Sequence, residues 1–92
     1  MLKSPFHPGY FLKQLVAEHG VSQTRLAKHL GIQIGAINQI CNEKRGISPG
    51  MAMKLSMALG TSPEFWLNLQ MAFELGQLGK PSRAIRRLIN VA

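Results

Sequence analysis

Residues 23–40 constrain the fold of this chain more than any other segment. The string runs Gln23-Thr-Arg-Leu26-Ala27-Lys-His-Leu30-Gly31-Ile32-Gln33-Ile-Gly-Ala-Ile37-Asn-Gln-Ile40. It reads as two short helices interrupted at Gly31. Helices that cross steeply need a small residue at their contact, and Ala27, between Leu26 and Leu30, supplies it. The turn needs a residue that tolerates positive φ, and Gly31 stands in that place. The second helix must hold to the first through aliphatic residues on one face, and Ile37 and Ile40 stand three apart there. This is the pattern of a helix-turn-helix, which lays its second helix in the major groove of DNA. An ordinary αα-hairpin has a similar outline, but the register of Ala27, Gly31 and Ile37 favours the DNA-binding form.

Composition agrees. Ninety-two residues, 46% of them hydrophobic, suffice for one domain with a single modest core. Eleven Lys and Arg against four acids leave a net charge of +7, which attracts a polyanion. A membrane surface is a weaker match, because the cations are scattered along the chain instead of lining one amphipathic face. The one cysteine, Cys41, excludes an intrachain disulfide framework and suits a reducing compartment. Residues 1–11 contain no apolar run of signal-peptide length, and no stretch approaches the ~20 apolar residues of a membrane span. The expected location is the cytoplasm.

The rest of the chain reads as helix punctuated by caps, with no sustained period-two alternation. Pro8 suits a first turn, with Tyr10, Phe11, Leu15 and Val16 as the apolar face and His19-Gly20 as the stop. Ser22 is the expected N-cap of the second helix, and Gln33 the expected start of the third. Ser48-Pro49 opens a fourth helix, with Ala52, Leu55, Ala58 and Leu59 inward and Gly60 at its end. Ser62-Pro63-Glu64 opens a fifth, closed by Gly76 and Gly79. Ser82 is placed to cap a short final helix carrying Ile85, Leu88 and Ile89. The fifth helix is apolar on nearly every side, more than a small domain can bury. Phe65 and Leu69 are therefore expected to face the core, while Trp66 and Phe73 meet a second copy in a homodimer.

Three further segments carry a family resemblance: Phe6-His7-Pro8-Gly9, Asn42-Glu-Lys44-Arg45-Gly46-Ile47-Ser48, and Thr61-Ser-Pro-Glu-Phe-Trp66-Leu-Asn-Leu-Gln70. With residues 23–40 they resemble the HigA-type antitoxins (virulence-associated protein I) of the Xre helix-turn-helix group, over about residues 6–75. The resemblance implies a five-helix lambda-repressor-like domain, which agrees with the helices read above: an all-α single domain of five to six helices over residues 1–92, the sixth being the short helical tail over about 82–92. It also implies a bacterial antitoxin that represses its own operon as a dimer and neutralises a ribosome-dependent mRNA endonuclease. The chain departs from relatives at Gln33–Ala36, which lacks their arginines and serines. Gly35 there weakens a helix interior by about 1 kcal/mol relative to alanine. Either the first turn tolerates glycine cheaply, or Gly35 lets the backbone approach the groove while Ile34 meets a thymine methyl.

Candidate site residues follow. Gln33, Ile34, Asn38 and Gln39 are the expected base contacts, since Gln and Asn can bond adenine N6 and N7 together. Gln23 opens the second helix, where related domains meet phosphate. Asn42, Lys44 and Arg45 suit the DNA backbone, and Arg25 and Lys28 either add to them or form a solvated face. Arg83, Arg86 and Arg87 read first as a solvated face. His7, His19 and His29 lack ligand spacing, so no metal or other cofactor is expected. Four acids without a catalytic arrangement argue against an enzyme. The expected partners are double-stranded operator DNA, palindromic if the protein is dimeric, a toxin protein and a second copy of the chain. Two alternatives stay open. One is a stand-alone Xre-type repressor without a toxin. The other is a protein-binding inhibitor with little DNA affinity.

Overall fold

The computed structural model describes residues 6–91, so residues 1–5 and 92 lie outside it. Five helices follow in order: α1 Pro8–Glu18, α2 Gln23–Leu30, α3 Ile34–Cys41, α4 Pro49–Leu59 and α5 Pro63–Leu78. No strand occurs among the described residues. The caps explain the boundaries. Ser22, Ser48 and Ser62 each accept the backbone N–H three residues on through the side-chain hydroxyl, satisfying one of the donors a helix start leaves open. Proline begins α1, α4 and α5, where its missing N–H costs nothing. Gly31, at φ 71°, ends α2 in the left-handed region, and the Ile32 N–H returns to the Ala27 carbonyl at 3.0 Å.

Every helix contributes to one core. Leu12 and Val16 of α1 meet Leu26 and Ala27 of α2, Ile37, Ile40 and Cys41 of α3, Ile47, Ala52 and Leu55 around α4, and Trp66 of α5. Ala27 is buried at the α2–α3 crossing and Ile37 and Ile40 are fully buried, as the helix-turn-helix register requires. On α1 the inward residues are Leu12 and Val16, with Leu15 partly buried. Tyr10 and Phe11, expected on the apolar face, are instead exposed.

The three segments outside the helix-turn-helix dock its neighbours onto it. Gly9 lies so close to α3 that a Cβ there would overlap the Ile40 carbonyl oxygen; only glycine fits this approach. Gln70 of α5 accepts the Ile47 N–H through Oε1 at 2.8 Å, tying the α3–α4 loop to α5. The Trp66 indole N–H donates to Thr61 Oγ1 at 2.7 Å.

Helix α5 corrects one expectation. Trp66 is fully buried, with its ring edge-on to Phe65 and Phe11, and is not available to a second chain. Phe65 and Leu69 only flank the core. The inward face is Trp66, Gln70 and Phe73, and Phe73 is half-buried with its ring 4.8 Å from His7. An α-helix that is apolar all round has no periodicity to set its rotation, so contacts from other helices set it. The helix also runs through Gly76 to Leu78. No sixth helix forms: residues 79–91 are irregular and exposed. A ten-residue amphipathic segment with no surface to pack on lies below the length at which helix holds in water.

His7 begins α1 in an unusual way. Its Nδ1 accepts the Gly9 N–H at 2.8 Å, and the ring is buried. Desolvation pushes the imidazole below its ordinary 6.5, outweighing the opposing pull of Glu43. The folded protein therefore resists a proton that the unfolded chain accepts below pH 6.5. Stability should fall as pH drops from 6.5 towards the folded-state value, and this contribution should level off beneath it. Urea midpoints measured from pH 8 to pH 5 test this. His7→Asn, which can cap without titrating there, should flatten that part of the profile; an unchanged profile would remove His7 as its source.

Candidate nucleic-acid interface

Helix α3 offers one face to the core and one to solvent. Ile37, Ile40 and Cys41 face inward. Gly35, Asn38 and Gln39 are exposed, as is Ile34. Gln33 is the N-cap residue and not the first helical residue, and its side chain makes no capping bond. Its amide is free to turn outward. An added Cβ at Gly35 would meet nothing within 4 Å, so packing within the chain does not require glycine there. That face is short, uncharged and accessible, which suits the floor of a major groove.

Polar and cationic residues lie on the neighbouring helix and in the following loop. Gln23 is half-buried in the first residue of α2, and Ser22 caps that helix by accepting the Arg25 N–H at 3.0 Å. The opening turn of α2 keeps further backbone donors and the positive end of its dipole for an anion. Arg25 and Lys28 are exposed on the same helix. Beyond α3, the Glu43 N–H returns to the Ile40 carbonyl at 3.0 Å and the Lys44 N–H to the Gln39 carbonyl at 2.8 Å. This double cap needs a left-handed residue, and Glu43 takes it at φ 63°. A non-glycine residue there costs roughly 1–2 kcal/mol. Asn42, Lys44 and Arg45 are exposed along this turn.

The structure brings together two residues that the sequence treats separately. Arg45 Nε donates to Gln39 Oε1 at 2.9 Å. Gln39 is expected to offer both halves of its amide to a base, and Arg45 to grip phosphate. Instead the amide oxygen is already held. The pair spans six positions across a helix end, and helical spacing gives no hint of it. The one available signal is the loop itself, a cap followed by the anchored Ile47.

The histidines take local structural places. His7 caps α1, a His19 ring nitrogen bonds the Leu15 carbonyl at 2.9 Å, and His29 lies in the last turn of α2. Among the described residues no group of His, Cys, Asp or Glu is arranged to hold a metal ion. Cys41 is buried, and desolvation pushes its thiol up against the opposing charge of Lys13, so it behaves as a core hydrophobe. The cleft lined by Val21, Arg25, Leu26, His29, Ala58 and Leu59 contains no carboxylate. No described helix is long and apolar enough to cross a membrane.

Known proteins share this arrangement. The helix-turn-helix family model matches residues 12–66. Virulence-associated protein A' of Dichelobacter nodosus is 45% identical over 80 residues, covering 86% of this chain and 70% of that protein. An addiction-module antidote protein of the HigA family from Coxiella burnetii aligns with a TM-score of 0.74 at 40% identity, covering 80% of this chain and 82% of that one. Antitoxin HigA of Pseudomonas aeruginosa, solved with the higBA promoter, aligns with a TM-score of 0.78 at 37% identity, covering 80% and 82%. Likeness of this extent, over the segment that builds the five-helix core and its exposed third helix, places the chain in the Xre-type helix-turn-helix family, among the HigA antitoxins and virulence-associated proteins.

Proposed function

We propose that this protein is a DNA-binding antitoxin. It represses its own operon as a homodimer and neutralises an mRNA-endonuclease toxin in the bacterial cytoplasm. The observation that carries the DNA-binding part is the exposed Gln33–Gln39 face of α3, bounded by the α2 N-terminus and by Lys44 and Arg45. The toxin-neutralising part rests on the likeness to HigA antitoxins. Gln33, Ile34, Asn38 and Gln39 read bases, Gln23, Asn42 and Lys44 sit along phosphate, and Arg45 brings its charge to the end of α3. The protein's work is binding and not catalysis. Met71, Leu75 and Leu78 form an exposed apolar stripe on α5 at helical spacing, on the side opposite Trp66 and Phe73, and this stripe is the proposed dimer contact. Two recognition helices in successive major grooves then require half-sites ~34 Å apart.

Two measurements test the reading. A gel shift on DNA from upstream of the gene should show a specific complex, competed by the same duplex and not by a scrambled one. Expression of the adjacent gene should arrest growth, and co-expression of this chain should restore it. A specific shift beside a harmless neighbour leaves a stand-alone repressor. Rescue without a shift leaves a protein-binding inhibitor.

A further inference from the structure

We infer that Arg45 is a specificity-determining residue. By holding the amide oxygen of Gln39 it turns the pair into a donor-only surface that selects guanine in place of adenine. This rests on the reading of α3 as the base-reading helix.

The contact is built and not incidental. Arg45 is held on both sides of the loop. On one side is the double cap, with Glu43 in the left-handed region and the Lys44 N–H on the Gln39 carbonyl. On the other is buried Ile47, whose N–H is bonded to Gln70. That path returns the guanidinium over the last turn of α3, where Nε reaches Gln39 Oε1 at 2.9 Å. Guanidinium nitrogens only donate, so the Gln39 amide can be oriented only with its oxygen towards Arg45. Its Nε2 group, with two N–H donors, is left to face outward beside the free Nη groups of Arg45.

A free glutamine recognises adenine by accepting from N6 and donating to N7. With the oxygen engaged, the accepting half is lost. What remains is a pair of donors, and the base edge with two neighbouring acceptors in the major groove is guanine, through O6 and N7. Adenine would set its N6 donor against donors. Arg45 therefore acts through Gln39, and its positive charge reinforces the donor character of the pair.

The test is selection from a randomised duplex pool by the full-length protein and by Gln39→Ala, Arg45→Lys and Arg45→Ala. Salt titrations of each variant run beside it. All three changes fall on exposed positions, and circular dichroism checks that the fold is kept. The position whose preference Gln39→Ala erases is the one Gln39 reads. The wild type should enrich guanine there roughly tenfold over adenine. Arg45→Lys keeps the charge but lacks Nε, so it should retain the salt dependence while guanine gives way to adenine. Replacing that guanine with 7-deazaguanine should weaken wild-type binding and leave Arg45→Lys little affected. Arg45→Lys keeping the wild-type profile, with Arg45→Ala weakening all sequences equally, would make Arg45 a phosphate contact and overturn the inference. Wild-type enrichment of adenine at that position would also overturn it, while leaving Gln39 as a reader. If Gln39→Ala changes no preference, the reading of Gln39 itself fails, and with it the role of Arg45.

Discussion

Trp66→Ala should destabilise the protein by about 3–5 kcal/mol, the cost of removing a large aromatic side chain from a packed core. A domain of this size has roughly 5–14 kcal/mol in total, so the variant should be largely unfolded by mild heating or low urea. Trp66 is 0% exposed, touches two aromatic rings and closes α5 onto the N-cap segment through Thr61. Trp66→Phe keeps most of the volume and loses the indole hydrogen bond, so about 1 kcal/mol is expected. Urea midpoints at one fixed protein concentration separate these values from any effect of association. Leu75→Lys, at a site 62% exposed, should leave the midpoint nearly unchanged at low protein concentration and lower the dimer fraction in sedimentation. A Trp66→Ala protein that kept the wild-type midpoint and became monomeric would return Trp66 to the subunit contact.

DNA affinity should fall steeply with salt. Lys44 and Arg45 are exposed beside α3 in each protomer, so a dimer bound to two half-sites brings about four positive charges to the polyanion through them. Counterion release then gives a slope of about −3.6 in log affinity against log salt, roughly a hundredfold loss between 50 and 200 mM. Lys44→Ala removes one charge per protomer and should reduce that slope by about 2 in the dimer, weakening all sequences alike. Filter binding or fluorescence anisotropy at four salt concentrations measures it. A slope near zero would mean that the net charge of +7 serves solubility and that this surface does not meet DNA.

The chain's local signals stated most of its architecture. Ser22, Ser48 and Ser62 cap where they are expected to, because a hydroxyl reaching the N–H three residues on needs no distant partner. Gly31 ends α2 because only the backbone at that point decides whether positive φ is tolerable. Ala27, Ile37 and Ile40 were legible because the two helices of the motif are joined by a short turn that fixes which faces meet. Tertiary structure decided what depends on contacts between distant segments. The rotation of α5 put Trp66 inside and Leu75 outside, since a helix apolar on every side is oriented only by what it packs against. Residues 82–91 carry a helical pattern yet stay irregular, because an amphipathic face stabilises a helix only where there is a surface to cover it. Gly9 at the Ile40 carbonyl and Arg45 on the Gln39 amide are likewise invisible to periodicity. Each is set by where one backbone arrives beside another, and that is fixed by the packed core as a whole, not by neighbours in the chain.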